Sequence, residues 1–430
     1  MKIQMGEERV IVRGIRPKDG LWGPYQFPRV YESDGRIVIS VHVGADDLKD
    51  YGSGCRWFES TDGGESWNEI DGDTAQRCGF LLDNGERIKF LPTSSIKLQG
   101  YEFTPPGMYT PDYDFDKRAP EGVLPIPDGV EVWHGDFVIY AYNCNRLPES
   151  IAKCEWECIR VSPDGKTVTK ENVPLDWPYC THVIYTNSKN ENPCLKTLFP
   201  RGNLKYGPDG AIWVTAFSGE GHINPKNGQY SPYYSAELFR SDDNAHSFKL
   251  WAHMEYPADG EYYPYKSGGF SDSDIEFLPD GSMIWFMRST WAATTFKEWD
   301  PMYVSRSYDM GKTWTKPVRF ADRGVLPRMC RFSDGTVLLS YARPGMFLRA
   351  SKDGKEWTEP VTVMTAKDRS KLFDKNIEHP NFWQWCGACN NPEIISIGEN
   401  NALLIYGDSY YPDVDGEAKK TVLCRTITVV

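Results

Sequence analysis

Short apolar runs of the kind that forms buried strands recur along the whole chain. Examples are the segments 36–41, 211–215, 282–286 and 336–340, each of which directly follows a tight-turn sequence. Asp-Gly and Asn-Gly pairs between two such runs indicate a β-hairpin, because these residues accept positive φ. The turns are Ser33-Asp34-Gly35, Asp83-Asn84-Gly85, Pro208-Asp209-Gly210, Pro279-Asp280-Gly281 and Ser333-Asp334-Gly335, with Glu399-Asn400-Asn401 as a weaker sixth. The pattern predicts an all-β chain built from hairpins.

A second turn sequence follows most of these hairpins. Residues 307–314 read SYDMGKTW and residues 60–67 read STDGGESW, with looser copies at 162–168, 241–248 and 351–357. In each full copy an Asp can accept hydrogen bonds from nearby backbone N–H groups, a Gly can supply positive φ, and a Trp can begin the next strand. The repeat therefore predicts a second hairpin turn that recurs along the chain.

Pairing each first turn with the second turn that follows gives four strands per unit. Six units begin near residues 28, 78, 200, 270, 326 and 391. Repeated four-stranded sheets around an axis are typical of a β-propeller, so we expect one domain over 1–430 with six, possibly seven, blades. Residues 95–153 are a long insertion or a blade that has lost its signature. The run 421–429 is expected to be joined by 9–12 to close the ring.

This architecture sorts the loops between two rims. Both turn families fall on one rim, whereas the long connections, such as 43–54, 92–153 and 176–199, fall on the other. Long loops on a rigid scaffold are where binding and catalysis tend to occur. We therefore expect the functional site on the long-loop rim, near the axis.

Three Pro-Arg pairs begin innermost strands of alternate units, at Arg29, Arg201 and Arg328. Their guanidinium groups can approach one another only around something negative, such as a substrate carboxylate. The alternative is that each arginine pairs with an Asp or Glu of a neighbouring blade. Arg288 and Arg343, at the ends of second strands, and His222, on a Gly-rich loop, are further binding candidates. Asp272 and Asp274 alternate along a strand and form either an acid/base pair or ion pairs with the arginines.

The repeated Asp turn resembles the Asp-box of the sialidase-like β-propeller superfamily. The resemblance implies an exo-acting glycoside hydrolase that holds a sugar carboxylate with three arginines and cleaves off a terminal acidic sugar. It also implies a general acid in the loop after the first hairpin, where Asp46 and Asp47 stand. For the family's Tyr/Glu nucleophile pair, several residues qualify: Glu220, Glu237, Glu393, Tyr234, Tyr406 and Tyr410.

A second resemblance is to the propeller-type polysaccharide lyases, among them the ulvan and rhamnose-glucuronate lyases. There a Tyr precedes the arginine that neutralises the uronate by sixteen residues, and Tyr185 and Arg201 stand at that interval. The resemblance implies β-elimination, with Arg201 stabilising the enolate and Tyr185 or His134 carrying protons. A third hypothesis, from another class, is a non-catalytic glycan-binding propeller.

Charge and aromatic content indicate which classes of partner the chain is suited to bind. A net charge of −12 argues against nucleic acid and anionic membranes, and 15 Trp with 24 Tyr suit a sugar-stacking surface. The expected partner is an acidic oligosaccharide or polysaccharide. The 11 scattered Cys and the absence of a signal peptide or membrane span favour a cytoplasmic location for the chain as written, or a periplasmic or secreted one if a leader was removed. Cys386 and Cys389 have metal-ligand spacing without a second pair, so no metal and no cofactor are predicted.

Overall fold

The structure is a computed structural model. It describes residues 1–13, 26–33, 35–43, 54–91, 96–98, 100–103, 118–133, 137–187, 194–196, 199–200, 202–218, 221–256, 269–290, 301–342, 345–365, 390–412 and 418–430. More than half of these residues are in strands, and most strand pairs are antiparallel, as the apolar runs and turn sequences predict; the fold is a β-propeller. The number of blades, six or seven, stays a prediction.

The first part of the chain holds two N-terminal strands and two four-stranded sheets. The N-terminal strands are β1 (Ile3–Met5) and β2 (Arg9–Val12); sheet 1 contains β3 (Gln26–Ser33), β4 (Arg36–His42), β5 (Cys55–Ser60) and β6 (Asn68–Ile70). Helix α1 (Gly72–Gln76) follows, capped by the Asp71 carboxylate, which accepts from the N–H of Thr74. Sheet 2 begins with β7 (Phe80–Leu81) and β8 (Arg87–Phe90). Sheet 2 is completed later in the chain by β14 (Glu155–Val161) and β15 (Val168–Asp176). Between its two halves lie β9 (Ile96–Lys97), β10 (Glu102–Phe103), β11 (Val123–Leu124), β12 (Gly129–Trp133), β13 (Phe137–Asn143) and the 3-10 turn Cys144–Arg146.

The second part continues the series. Strands β16 (Thr181–Asn187) and β17 (Cys194–Lys196) come first. Sheet 3 then contains β18 (Phe199–Pro200), β19 (Lys205–Tyr206), β20 (Ile212–Phe217), β23 (Ala236–Ser241) and β24 (Phe248–Met254). A small hairpin of β21 (His222–Ile223) and β22 (Tyr230–Ser231) lies in the connection between β20 and β23. Both β18 and β19 pair with β20, so they form one interrupted inner strand. Outer strand β15 of sheet 2 pairs with outer strand β24 of sheet 3 in parallel, which joins these two sheets at their edges.

The last three sheets follow the same order. Sheet 4 contains β25 (Gly269–Phe277), β26 (Met283–Thr290), β27 (Met302–Ser307) and β28 (Val318–Ala321); sheet 5 contains β29 (Val325–Arg331), β30 (Val337–Ala342), β31 (Met346–Ser351) and β32 (Val361–Met364); sheet 6 contains β33 (Asn390–Ser396), β34 (Asn401–Pro412) and β35 (Ala418–Val429). Strands β1 and β2 both pair with β35 and supply the fourth position of sheet 6. The expected pairing of 9–12 with 421–429 is thus confirmed, and the two chain ends are held in one sheet.

The core lies between neighbouring sheets, where apolar side chains of facing strands meet. Separate clusters join sheets 2 and 3, 3 and 4, 4 and 5, and 5 and 6. A further cluster joins sheet 6 to sheet 1, with Leu403 and Ile405 packed against Ile37 and Ile39, which closes the ring. Burying one such side chain contributes about 1.5–3 kcal/mol, so these interfaces, rather than the hairpins themselves, hold the sheets together.

The described strands of the 95–153 segment pair outside sheets 1 to 6. Among them, β12, β13 and β9 pair with β16 and β17 in a separate five-stranded sheet, in the order β12-β13-β16-β17-β9. At one end of this sheet Asn143 pairs with Thr181, which brings Cys144 beside Cys180 in a disulfide with a Cα–Cα distance of 5.5 Å. The sequence did not predict this bond, because the strand pairing that brings the two residues together is not visible in their spacing.

The two turn families lie on one rim, which we call the turn rim. In sheet 1, the Ser33–Arg36 turn joins the first two strands and residues 60–67 join the last two. The Asp62 carboxylate accepts from the backbone N–H of Ser66 at 2.9 Å, and Ser60 Oγ accepts from that of Gly64 at 2.8 Å. In the copy at 241–248, which lacks glycine, Asn244 and Ala245 adopt positive φ of 54° and 59° and keep the same bonds. The opposite end of the sheets, where the inner strands begin, is called the bulge rim below.

Among the described residues, no helix has the length and apolar character needed to cross a membrane.

Candidate functional site

Four inner strands carry the same irregularity where they begin at the bulge rim. In β3, β25, β29 and β33 two residues face a single residue of the neighbouring strand; the two-residue bulges are Phe27-Pro28, Ser271-Asp272, Leu326-Pro327 and Asn391-Pro392. Proline fits a bulge because it has no N–H for the ladder, and Leu326 and Asn391 adopt positive φ of 48° and 59°. Since a bulge changes the direction of the side chains beside it, the four sheets redirect residues at equivalent positions.

Charged residues occupy these positions. Arg29, Arg328 and Glu393 directly follow their bulges, and Asp272 lies within its own bulge, opposite Arg288. We call these five residues the bulge-rim cluster. Their repeated placement at the same end of different inner strands brings guanidinium and carboxylate groups together around the axis.

Contacts between sheets show how closely these groups meet. Arg328 Nε donates to Glu393 Oε1 of the next sheet at 3.1 Å, with the side chains only 1% and 3% exposed. Arg288 Nη1 donates to Asp272 Oδ2 at 3.0 Å, and Arg29 Nη2 donates to the carbonyl oxygen of Pro200 in sheet 3 at 3.3 Å. For Arg328, the alternative expectation of a partner on a neighbouring sheet therefore holds.

Side chains of sheet 3 also form hydrogen bonds with the inner strands of other sheets. Asn203 Nδ2 donates to Glu393 Oε2 at 3.0 Å. Deeper along the axis, Lys205 Nζ lies 3.1 Å from both Asp274 Oδ2 and Glu276 Oε2, and it also donates to the carbonyl oxygen of Met329. Three inner strands from sheets 3, 4 and 5 thus share one ammonium group below the bulge-rim cluster.

Burial and neighbouring charges shift the pKa values of the basic side chains in this region in opposite directions. Burial lowers the pKa of Arg328, but the carboxylates of Glu393, Asp274 and Asp272 more than offset this and raise the pKa overall. Burial likewise lowers the pKa of Lys205, and Asp274 and Glu276 reverse the effect. The pKa of the fully buried Asp274 is raised, chiefly by desolvation. Because burying charges costs more than most ion pairs return, this set of residues is better suited to a site than to stability.

The two aspartates of β25 do not act as one pair. Asp272 contacts Arg288, while Asp274 contacts Lys205 and accepts from the backbone N–H of Met329 at 2.8 Å. The bulge at Ser271-Asp272 is the reason, because it breaks the alternation that would place both side chains on one face. Of the two readings of these residues, ion pairing with an arginine describes Asp272.

A second group of ionisable side chains lies against the outer strand of sheet 3. It consists of His222, His253, Glu255, Glu237 and Tyr179, and we call it the histidine cluster. His253 Nδ1 lies 2.9 Å from Glu237 Oε1, and the His253 and His222 Nε2 atoms lie 3.3 and 3.5 Å from Glu255 Oε1. His222 thus lies against β24, where it contacts Glu255 and the carbonyl oxygen of Tyr233.

The remaining predicted residues divide into two sets. Asp46, Asp47, His134, Arg201, Arg343, Glu220 and the Cys386–Cys389 pair lie outside the described residues. Tyr185 is in β16 of the five-stranded sheet, where its backbone pairs with Ile139 and Cys194. Among the nucleophile candidates, Glu393 is in the bulge-rim cluster, Glu237 is in the histidine cluster, and Tyr406 Oη contacts Glu8 and Arg425.

Comparison with known proteins supports the fold. No protein-family model and no curated protein match the chain. Among solved structures, a protein of unknown function from Dyadobacter fermentans has a TM-score of 0.58 at 16% identity, with 100% of this chain and 99% of that chain covered. The α-L-arabinofuranosidase Arb93A of Fusarium graminearum has a TM-score of 0.48 at 13% identity, with 98% of both chains covered. Trypanosoma rangeli sialidase has 0.43 at 11%, with 94% of this chain and 55% of that chain covered.

At these identities, similarity concerns the fold alone. The Dyadobacter protein is similar to this chain over its full length, and the architecture itself is given by the sheets described above. The chain is therefore an all-β propeller, and its chemistry has to be argued from the bulge-rim and histidine clusters themselves.

Proposed function

We propose that this protein is a carbohydrate-active enzyme, an exo-acting glycoside hydrolase that releases a terminal acidic sugar at the bulge rim. One observation carries the proposal: bulges in four inner strands bring Arg29, Arg288 and Arg328 together with Asp272 and Glu393 at one end of the axis. Guanidinium groups bind carboxylates through paired hydrogen bonds. Carboxyl groups supply the general acid and base of glycoside hydrolysis.

The positions of the flanking strands support Asp46 or Asp47 as the general acid. Strand β4 ends at His42, which pairs with Gln26 at the start of β3, and β5 begins opposite it at Cys55. The chain therefore leaves and re-enters sheet 1 at the bulge rim, on the side of Arg29. We propose that Asp46 or Asp47, carried by the connection between these two strands, protonates the leaving oxygen.

Lyase chemistry is the second candidate, and one contact favours it. Pro200, the residue before Arg201, accepts a hydrogen bond from Arg29. This attaches the backbone next to Arg201 to the bulge-rim cluster. In that scheme Arg201 neutralises a uronate, and Tyr185 or His134 transfers protons in a β-elimination.

Product analysis on paired substrates tests the proposal. The pairs differ only in the carboxylate, for example a glucuronide and the corresponding glucoside, together with sialyl and galacturonyl oligosaccharides. We expect kcat/KM to be at least about 100-fold higher for the acidic member, because a site built for a polar group discriminates strongly against its absence. A hydrolase product gains the mass of water, whereas a lyase product is an unsaturated uronate that absorbs near the ultraviolet edge. Binding of the acidic sugars without turnover would instead indicate a glycan-binding protein.

Asp272→Asn connects activity to the bulge-rim cluster. The amide cannot balance Arg288, so we expect kcat/KM to fall about 100-fold or more, a typical loss when preorganised electrostatics are removed. Asp280→Asn is the matched control, because Asp280 is in a turn-rim hairpin, where it accepts from the N–H of Ser282 at 3.0 Å. Equal activity of both variants and wild type would contradict a site at the bulge rim.

A further inference from the structure

The histidine cluster has the composition and geometry of a metal site. His222 comes from β21, in the connection between β20 and β23, whereas His253 is the last residue but one of the outer strand β24 and Glu255 directly follows that strand. One ligand atom from each of these three residues lies within 4.8 Å of the others. Imidazole nitrogen and carboxylate oxygen are the ligands that zinc and similar ions use in proteins.

Two of the distances match a tetrahedral ion. Glu255 Oε1 lies 3.3 Å from His253 Nε2 and 3.5 Å from His222 Nε2. With metal–ligand bonds of about 2.0–2.1 Å, the ligand atoms of a tetrahedron are about 3.3–3.4 Å apart. The two edges from Glu255 are therefore already close to the length that a bound ion requires.

The other nitrogen of each ring is already engaged. His222 Nδ1 lies 3.2 Å from the carbonyl oxygen of Tyr233, and His253 Nδ1 lies 2.9 and 3.1 Å from the two oxygens of Glu237. Metal-binding histidines almost always donate their second N–H in this way, which directs the Nε2 lone pair at the ion. His222 is only 1% exposed, and apart from the 3.5 Å contact with Glu255 its Nε2 makes no hydrogen bond within the described part of the chain.

A supporting layer surrounds the rings. Glu237 is completely buried and accepts from Ser235 Oγ at 2.7 Å, so its orientation towards His253 is fixed. Tyr179 stacks on His253 with the ring centroids 3.8 Å apart and an interplanar angle of 8°. Metal binding requires both histidines to be neutral, and the bound divalent cation would then balance the negative charges of Glu237 and Glu255.

We propose that His222, His253 and Glu255 bind a divalent transition metal ion, with Zn²⁺ the best fit, and that Glu237 positions His253 for it. The ion would link two parts of the chain: the connection that contains His222, and the end of the outer strand of sheet 3. Three protein ligands leave a fourth position for water, on the side where the Glu255 side chain is 55% exposed. This inference is independent of the activity proposed for the bulge rim.

The test measures metal binding directly. Purified protein is stripped with a chelator, dialysed and titrated with Zn²⁺, and bound metal is counted by mass spectrometry. Co²⁺ is then added as a visible probe. We expect one Zn²⁺ per chain, a higher Tm on binding, and the intense absorption of tetrahedral Co²⁺ with histidine ligands. Glu255→Gln is the preferred ligand variant, because its exposed side chain can change without disturbing the core, and it should weaken binding at least tenfold.

Two further variants separate the metal site from a simple ion-pair group. Glu237→Gln should weaken Zn²⁺ binding 10- to 100-fold through its loss of control over His253. His246→Ala is the control, because His246 is exposed in the turn at 241–248 and should bind Zn²⁺ as wild type does. A wild-type protein that binds less than one Zn²⁺ per chain at micromolar concentration would overturn the proposal. So would Glu255→Gln and wild type with equal affinity for Zn²⁺.

Discussion

The turn rim and the bulge rim use the same residue types in opposite ways. At the turn rim, the carboxylate of Asp62 or Asp309 is exposed and accepts hydrogen bonds from the N–H and hydroxyl groups of its own turn. At the bulge rim, the carboxylates of Asp272 and Glu393 are buried and contact arginines. A turn carboxylate is satisfied locally, whereas each axial carboxylate depends on a partner outside its own strand.

This difference separates structure from function within one fold. Locally satisfied carboxylates tolerate repetition, so the same turn recurs in sheets 1, 3 and 4 with almost identical bonds. Carboxylates that depend on other strands form one shared arrangement that cannot be duplicated sheet by sheet. We therefore propose that the repeated turns serve folding and that the bulge-rim cluster carries the chemistry.

The largest expected effect on stability comes from removing one partner of the buried Arg328–Glu393 pair at the axis. Arg328→Ala leaves Glu393 buried and uncompensated, so we expect the free energy of unfolding to fall by about 3–5 kcal/mol. Arg56→Ala is the contrast, because the Arg56–Glu69 pair is 33% and 50% exposed, and it should cost at most about 1 kcal/mol. Urea unfolding measures both.

A double variant sharpens this contrast. Arg328→Met combined with Glu393→Leu removes both charges, and it should recover most of the stability lost in Arg328→Ala. If Arg328→Ala cost no more than Arg56→Ala, the buried axial pair would not differ from an exposed pair, and the distinction between the rims would fail.

An intermediate effect is expected at the turn rim from Ser307→Ala. Ser307 Oγ is buried, accepts from the N–H of Gly311 at 2.8 Å and donates to Asp309 Oδ1 at 2.8 Å. Because the loss of this hydroxyl leaves the Gly311 N–H unsatisfied, we expect the free energy of unfolding to fall by about 1–2 kcal/mol. We expect kcat/KM to be unchanged. Lys312→Ala, in the same turn, changes only an exposed side chain and should change stability by less than about 0.5 kcal/mol. A large loss of activity in Ser307→Ala would show that the turn rim takes part in function.

A smaller effect is expected from Gly63, which has φ of 71° in the first turn. Gly63→Ala forces a Cβ into the left-handed region and should cost about 1 kcal/mol. Asn244 holds the corresponding position in sheet 3 with φ of 54°, so Gly63→Asn should be nearly neutral. Thermal unfolding of the two variants distinguishes backbone strain from loss of packing, because no atom of the described residues lies within 4 Å of a Cβ placed there. Equal Tm values for both variants would argue against backbone strain at this position.

The smallest expected effect is a pH dependence at the turn rim. Bonds from the Thr313 hydroxyl, the Thr313 N–H and the Ser307 hydroxyl lower the pKa of Asp309 from 3.8 to about 2. A lowered pKa means that the ionised form stabilises the fold above pH 4, and that this contribution disappears as the pH falls through 2. The stability advantage of wild type over Asp309→Asn should therefore shrink between pH 4 and pH 2. A constant difference over that range would contradict the assigned bonds.

Much of the fold follows from the sequence because its signals are local. Asp-Gly pairs and the SYDMGKTW type of turn contain their own hydrogen-bond partners, so they mark hairpins without knowledge of the rest of the chain. The inner strands begin at Gln26, Phe80, Phe199, Gly269, Val325 and Asn390, next to the six positions expected from those turns. The five-stranded sheet was not visible, because it pairs β9, β12 and β13 with strands that follow sheet 2.

The site was only partly predictable, because its contacts join distant parts of the sequence. The Pro-Arg pairs pointed to Arg29 and Arg328, and the same pattern with a carboxylate, Asn391-Pro392-Glu393, could have identified Glu393 as the partner of Arg328. Lys205, His253 and Glu255 have no such signal. His253 and Glu255 meet His222 only through the pairing of β23 with β24 and the path of the connection above it.

The most direct test of the account is a crystal structure of Asp272→Asn with an acidic oligosaccharide that wild type binds or cleaves. The account predicts that the sugar carboxylate lies about 3 Å from a guanidinium nitrogen of Arg29, Arg288 or Arg328, at the bulge rim. A sugar bound at the turn rim, or along the outer strands with the bulge-rim cluster unchanged, would contradict it.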